Sequence, residues 1–343
     1  MQDEIYMARC LELAALGEGN VAPNPMVGCV IVEDGKIISE GFHRKYGGHH
    51  AEVNAIRAVS DPNRFKNCSI YVNLEPCSHF GKTPPCADLI VSSGFKRVVI
   101  ANTDPFPEVN GRGIKRLRQA GIEVVTGVLE DEGLKLNRRF FKQQASNKPY
   151  VILKWAQSAD GFMDPERKAG EQGSLAVSSP STAKLVHLWR SQEAAILIGA
   201  GTVRVDNPSL TVRHIPGKNP TRIVLNDSEA LDSSSRVFNA EAPTLLFSMN
   251  SQSGIPNYEI LEKGENTLSI LNRISAHGIQ SVLVEGGKFT LETFIKENTW
   301  DEIRVITSPK HFGKGLKSPE IGLIPDSSEH YGPDRIDYYF RKS

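Results

Sequence analysis

The sequence predicts two consecutive domains of the α/β class. Its 343 residues amount to a little more than two domains of ~150 residues, each long enough to bury a core. Short apolar runs alternate with helix-period segments through both halves, the pattern of strands joined by helical crossovers. The polar stretch Gln143-Gln144-Ala145-Ser146-Asn147-Lys148-Pro149 reads as a linker, placing the domains at 1–145 and 149–343. Strands joined in this way imply a largely parallel sheet with helices on both faces.

In the first half, Ile5, Ala8, Leu11, Ala14 and Ala15 recur at helical spacing and open the chain with an amphipathic helix. Val27 to Val32 is a strand, Asp34-Gly35 a tight hairpin turn, and Ile37 to Phe42 the partner strand. Helices near 51–59, 87–92 and 114–120 then alternate with strands at 69–74, 97–101 and 122–128. The second half continues with strands at 150–155, 195–198, 222–225, 244–247, 281–284 and 302–307. The turn-rich segment from Asp232 to Pro243 reads as surface loop.

Composition excludes several function classes. Forty basic side chains balance forty acidic ones. The halves are balanced too, with 18 basic against 17 acidic in 1–147 and 22 against 23 in 148–343. No half offers the bulk positive charge by which proteins hold nucleic acid. The one basic cluster, Lys135, Arg138, Arg139 and Lys142 around Phe140-Phe141, is explained more simply as a solvated amphipathic helix. The apolar runs fall well short of the ~18 residues of a membrane helix. The acidic start, Met-Gln-Asp-Glu, lacks a signal peptide's basic region, so a cytoplasmic location is expected. Five cysteines, an odd number in a reducing compartment, favour metal or catalytic roles over a disulfide framework.

The chemistry-bearing segment is His50-Ala51-Glu52, followed by Pro76-Cys77 and by Cys86 after Pro84-Pro85. One imidazole and two thiolates make three zinc ligands and leave the fourth position open, the pattern of a catalytic site. Glu52, close by and not a ligand, has the place of a proton shuttle. Residues i and i+2 of a helix point about 200° apart, so both serve one site only if His50 sits at an irregular first turn. Cys86 is expected at another helix start, where the N-terminus favours the thiolate. H-x-E followed by P-C and a further cysteine is the signature of zinc-dependent nucleobase deaminases, although here eight residues separate Cys77 from Cys86 where that signature has two. Cys10, Cys29 and Cys68 lie on apolar faces and read as core. The second half offers Gly199-Ala200-Gly201-Thr202 after a strand, with Arg204 in place of the third glycine of a dinucleotide fingerprint. It also has Val284-Glu285-Gly286-Gly287 before a helical run, where free amides could bind a pyrophosphate. A plain strand-to-helix turn fits that segment equally well.

Cys77-Ser78-His79-Phe80-Gly81-Lys82-Thr83-Pro84-Pro85-Cys86, with Asn24-Pro25-Met26-Val27-Gly28 upstream, closely resembles the bifunctional riboflavin-biosynthesis deaminase/reductase family. Leu153-Lys154-Trp155-Ala156-Gln157-Ser158-Ala159-Asp160-Gly161, the run Ala195 to Arg213 and Glu285-Gly286-Gly287 extend that resemblance across the chain. It implies a cytidine-deaminase-like three-layer domain followed by a dihydrofolate-reductase-like α/β domain. It further implies zinc on His50, Cys77 and Cys86, with Glu52 as proton shuttle. Asn24 is implied to contact the pyrimidine, and His43, His79, Lys82 and Thr83 the ribose phosphate. Lys82 with Thr83 in a glycine-containing loop suits a phosphate monoester. In the reductase domain the resemblance gives Ser174, Arg190, Leu210, Arg213 and Glu285 to the substrate pocket. It gives Ala156, Thr202, Asp206 and the run from Gly287 to NADPH, with Asp206 a candidate proton donor.

The implied partner is a pyrimidine ribosyl phosphate, deaminated first and then reduced from ribosyl to ribityl. No nucleic acid or membrane is implied, and homo-oligomerisation is left open. Two departures from the family pattern stand out. Leu175-Ala176-Val177-Ser178 lacks the usual tryptophan, an aromatic wall for the cofactor. Asn226-Asp227-Ser228 puts a carboxylate where it would repel an adenosine 2′-phosphate. Both changes predict a weakened reductase. The competing reading is a nucleoside or tRNA deaminase carrying an accessory second domain.

Overall fold

The computed structural model describes residues 2–342 apart from 79–83, 107–108, 169–172, 174, 227–228 and 256. It divides into two compact units, residues 1–147 and 148–343. In the first, α1 (Gln2–Ala15) precedes the hairpin β1 (Gly28–Glu33) and β2 (Lys36–Phe42). Then follow α2 (Ala51–Arg57), β3 (Cys68–Leu74), α3 (Cys86–Ser93), β4 (Arg97–Asn102), α4 (Arg112–Gln119), β5 (Glu123–Thr126), α5 (Glu130–Leu136) and α6 (Arg138–Ser146). The sheet runs β2-β1-β3-β4-β5. Only β3-β4 and β4-β5 are parallel; β1 is antiparallel to both β2 and β3. The expectation of a largely parallel sheet is therefore corrected for this unit. A two-residue hairpin forces its strands antiparallel, and β1 carries that reversal into the centre of the sheet.

Strand alternation sorts the side chains onto two faces. Cys29, Ile31, Ile70, Val72, Val98 and Ile100 pack with Ala51, Ala55, Ile90 and Leu117 from α2, α3 and α4. Val30, Val32, Tyr71, Val99 and Ala101 pack with Tyr6, Met7, Cys10 and Leu13 of α1. The unit thus has three layers. The helix at the N-terminus is where it was expected, but its inward face is Tyr6, Met7, Cys10, Leu13 and Ala14; Ile5 is 67% exposed. Cys10, Cys29 and Cys68 are buried free thiols, as read from the sequence. The stretch expected as linker is partly helical, since α6 runs to Ser146 and ends on Asn147 in a left-handed cap.

The second unit contains β6 (Tyr150–Gln157), β7 (Phe162–Pro165), α7 (Pro180–Gln192), β8 (Ala195–Gly199), α8 (Ala200–Asp206), β9 (Thr221–Asn226), β10 (Thr244–Ser248) and β11 (Tyr258–Ile260). It continues with α9 (Thr267–Ala276), β12 (Ser281–Gly286), α10 (Lys288–Lys296), β13 (Glu302–Thr307), β14 (Gly315–Lys317), β15 (Ser327–Tyr331) and β16 (Asp334–Phe340). Its main sheet runs β11-β10-β9-β8-β12-β6-β13-β16-β15. It is parallel from β11 to β13 and antiparallel at β16 and β15. β16 escaped the sequence reading, as did the short strands β7, β11, β14 and β15. At three to five residues, with at most partly buried faces, they carry almost no alternation to read.

The segment 232–243 is turn-rich and largely exposed, as expected, but it is pinned to the sheet. Val237, within it, is fully buried. The buried Arg222 of β9 donates to the carbonyl oxygens of Ser209, Arg236, Asn239 and Ala242, and to the Thr244 hydroxyl. Those acceptors hold the segment against the sheet while its side chains stay polar.

Gly28 shows how closely α1 seats on β1: a Cβ there would stand 2.0 Å from the Cys10 carbonyl oxygen. Backbone cannot yield as a flexible side chain can. Gly28→Ala is therefore expected to cost about 3 kcal/mol, the upper range of overpacking, read as a lowered denaturant midpoint of the first unit.

Candidate active sites

The first site forms where β2 and β3 deliver the chain into α2 and α3. His50 is the N-cap of α2, with extended backbone at φ −68° and ψ 162°. Its ring thus leaves the helical ladder, and Glu52 in the first turn can face the same space. Cys86 is the first residue of α3, preceded by Pro85. Its main-chain N–H donates to the Cys77 sulfur at 3.3 Å. His50 Nδ1 stands 3.7 Å from Cys77 Sγ and 3.3 Å from Cys86 Sγ. Two sulfurs and a nitrogen on one tetrahedral zinc stand about 3.6 to 3.8 Å apart. Nitrogen and thiolate are also zinc's preferred donors, so the residues present fit that ion. Among the described residues this is the cluster of such groups whose ligand atoms all lie within 4.8 Å of one another.

Glu52 is buried at 3% exposure. Burial pushes its carboxyl above the ordinary range. Asn24 Nδ2 lies 3.1 Å from His43 Nε2, and His43 Nδ1 lies 3.0 Å from the His49 carbonyl oxygen. The His43 ring stands edge-on to His50, centroids 5.6 Å apart. Asn24, His43, His50, Glu52, Cys77 and Cys86 are therefore gathered in one place. His79, Lys82 and Thr83 lie outside the described residues. His49 faces Arg57, 2.8 Å from its guanidinium, leaving His50 as the cluster's histidine.

Sequence reasoning missed Glu75. Its buried carboxylate accepts the N–H groups of Asp104, Gly111 and Ile114. It ties the strand end two residues before Cys77 to the loop leading into α4. An acidic residue at the end of an apolar strand was the available signal.

The second site is a cavity of about 1170 Å³ in the second unit. It opens where parallel strands end and helices begin, the usual ligand position in such sheets. Gly199, Thr202, Arg204, Asp206, Glu285, Gly287, Lys288 and Thr290 line it. Of the expected residues it therefore collects Thr202, Asp206, Glu285 and Gly287. Gly287 has φ +67°, and a Cβ there would lie 3.1 Å from the Thr202 hydroxyl. Asp206 faces Arg167 at 3.5 Å, and burial raises its carboxyl. Ala156, Arg190, Leu210 and Arg213 are not among the lining residues. Ser174 and the Asp227-Ser228 departure lie outside the described residues. Leu175 and the exposed Phe289 do line the cavity.

Arg190 is committed: Nε and Nη2 donate to the two Glu285 carboxylate oxygens at 2.7 and 2.8 Å. Lys154, buried on β6, is 3.4 Å from the same carboxylate. A lone lysine in the apolar strand Val151-Ile152-Leu153-Lys154-Trp155 was a legible signal that the sequence reading left without a role. Leu210 and Arg213 neighbour this group through Thr211, whose carbonyl oxygen accepts from Arg190 and whose hydroxyl accepts from Arg213. Arg213 is exposed and has no carboxylate ion pair among the described residues.

A three-donor cluster fit for zinc beside a buried carboxylate, and in the second unit a glycine-lined cleft at parallel strand ends, suit a fused zinc deaminase and nucleotide-dependent reductase. The comparisons agree. The cytidine and deoxycytidylate deaminase zinc-binding region matches residues 1–102, and the RibD C-terminal domain matches 149–334. The riboflavin biosynthesis protein RibD of Aquifex aeolicus is 40% identical over 94% of this chain and 91% of its own. That of Escherichia coli is 36% identical over 97% and 98%. A crystal structure of a diaminohydroxyphosphoribosylaminopyrimidine deaminase/5-amino-6-(5-phosphoribosylamino)uracil reductase from Thermotoga maritima superposes with TM-score 0.89. It is 37% identical and covers 98% of both chains. The chain belongs to the RibD family of riboflavin biosynthesis proteins. Relatives spanning both domains remove the support for a tRNA deaminase with an accessory module. Among the described residues no helix is long and apolar enough to cross a membrane.

Burial alone would raise the Glu285 carboxyl, but the charges of Arg190 and Lys154 hold it at about 2, against an ordinary 4.5. A depressed carboxyl contributes stability in full above its unfolded pKa and loses it as pH falls through the folded one. The contribution should thus fade between pH 4.5 and 2. Glu285→Gln leaves two buried cations unpaired and should cost about 3 kcal/mol at neutral pH. Urea unfolding at a series of pH values should show a shallower acid slope for the variant than for the parent.

Proposed function

We propose that this chain deaminates a diaminopyrimidinone ribosylamine 5′-phosphate and then reduces the product's ribosyl group to ribityl. The observation that carries the first step is the buried Glu52 beside the His50, Cys77 and Cys86 cluster, with three ligands where a structural site would close with four. Zinc held by His50, Cys77 and Cys86 would supply a Lewis acid able to activate water at neutral pH. Glu52, buried beside that cluster, is placed to accept a proton from the attacking water and to pass it to the departing ammonia. Asn24, fixed by His43, is read as the hydrogen-bonding partner of the pyrimidine edge. His43, His79, Lys82 and Thr83 are read as the ribose-phosphate side of this pocket.

For the second step NADPH, when bound, would supply the hydride for C1′ of the sugar. Thr202, Asp206 and the amides from Gly287 into α10 are read as cofactor contacts, and Ala156 with them. Arg190 acts through Glu285, which it and Lys154 orient toward the cleft. Arg213, exposed and without a carboxylate partner among the described residues, is the better phosphate ligand of the two arginines. Leu210 and Ser174 complete the substrate side. Asp206, its carboxyl raised by burial, remains the proposed proton donor to the opening ring.

Two measurements test the halves separately. Glu52→Gln should retain one zinc per chain by elemental analysis and lose ammonia release by at least a hundredfold; retained turnover would refute its role. Deaminated substrate mixed with NADPH should consume the reduced nicotinamide in both the parent and Glu52→Gln. No absorbance change in either would mark the second domain as degenerate, as its two sequence departures predict in weaker form.

A further inference from the structure

Helix α7 presents two polar side chains one turn apart, His187 and Arg190, to the segment after α8. Arg190 is accounted for by Glu285 and also donates to the Thr211 carbonyl oxygen at 3.4 Å. His187 has no part in the mechanism above. It is buried at 5% exposure, and its Nδ1 accepts the main-chain N–H of Arg213 at 3.1 Å. Its ring meets His214 edge-on, centroids 4.4 Å apart. One helix therefore grips Thr211 and Arg213, alternate residues of the same segment.

That segment needs holding. Leu210, immediately before it, has φ +55° and is buried. Left-handed backbone at a branched residue costs about 1 to 3 kcal/mol and persists only where the surroundings enforce it. An imidazole accepting at Nδ1 carries its hydrogen on Nε2 and is neutral. Burial, then the charges of Arg190, His214 and Arg213, keep its pKa at about 4, so the acceptor is intact at neutral pH.

We propose that His187 is a positioning residue of the reductase: by holding the Arg213 amide, it fixes where the exposed Arg213 guanidinium meets the substrate's phosphate. The proposal rests on the reading of Arg213 as phosphate ligand. Its test uses the full-length protein carrying His187→Leu, His187→Asn, Arg213→Ala, or His187→Leu with Arg213→Ala. Reductase KM and kcat are measured with deaminated substrate, and NADPH affinity by fluorescence titration. Losing one buried hydrogen bond should raise KM about tenfold in His187→Leu, with kcat and NADPH affinity changed less than about twofold. In His187→Asn the amide oxygen stands near the former Nδ1 and should recover most of the affinity. In the double variant, His187→Leu should add nothing to the KM of Arg213→Ala, because the two act through one contact. An unchanged KM in Arg213→Ala would remove the phosphate reading itself. A raised KM there, with parental KM in His187→Leu or with additive effects in the double variant, would overturn the proposal alone. Equal damage in His187→Asn and His187→Leu, or lost NADPH binding in both, would assign the ring to packing and overturn it as well.

Discussion

The deaminase half depends on one departure from helical geometry. A regular helix would send His50 and Glu52 to nearly opposite sides. By standing at the N-cap with extended backbone, His50 lets the first turn of α2 point its carboxylate into the space the imidazole borders. Cys86 uses the start of α3 in the same spirit, with its amide turned toward the Cys77 sulfur. Both helix starts follow strands of one sheet. Glu75 anchors the strand end before Cys77 to three amides, two of the neighbouring loop and one in the first turn of α4.

The reductase half solves a different problem, that of keeping charge inside. Glu285 sits between Arg190 and Lys154 with little solvent, and each group would be costly there alone. Together they place a carboxylate of fixed orientation at the edge of the cleft. The guanidinium that the sequence suggested for a phosphate is thereby spent on its own carboxylate. Arg213 is left as the outward-facing cation.

Much of this was legible in the sequence. The strands Ala195 to Ile198 and Glu302 to Thr307 are apolar runs of strand length and lie where periodicity put them. The zinc cluster could be read because His, Glu and Cys at that spacing have few uses in common. What was not legible depends on partners far along the chain. The inward face of α1 is set by its packing on β1, and alanines at helical spacing do not disclose which stripe turns inward. The commitment of Arg190 to Glu285 spans 95 residues, and no local pattern announces it. The antiparallel seat of β1 between β2 and β3 follows from sheet order, which the helix–strand alternation alone does not encode.

Arg222 has a consequence for how this chain can vary. Its guanidinium is buried in the sheet and meets mainly main-chain carbonyl oxygens of segments 209 and 236–242. Every amino acid supplies such an oxygen. Mutational drift in the residues over Arg222 is therefore cheap so long as the path of the chain is kept. An insertion or deletion there would strand a permanent charge in the core. Apart from the buried Val237 and from Asn239, whose side-chain oxygen also accepts from Arg222, the segment is freer in spelling than in length.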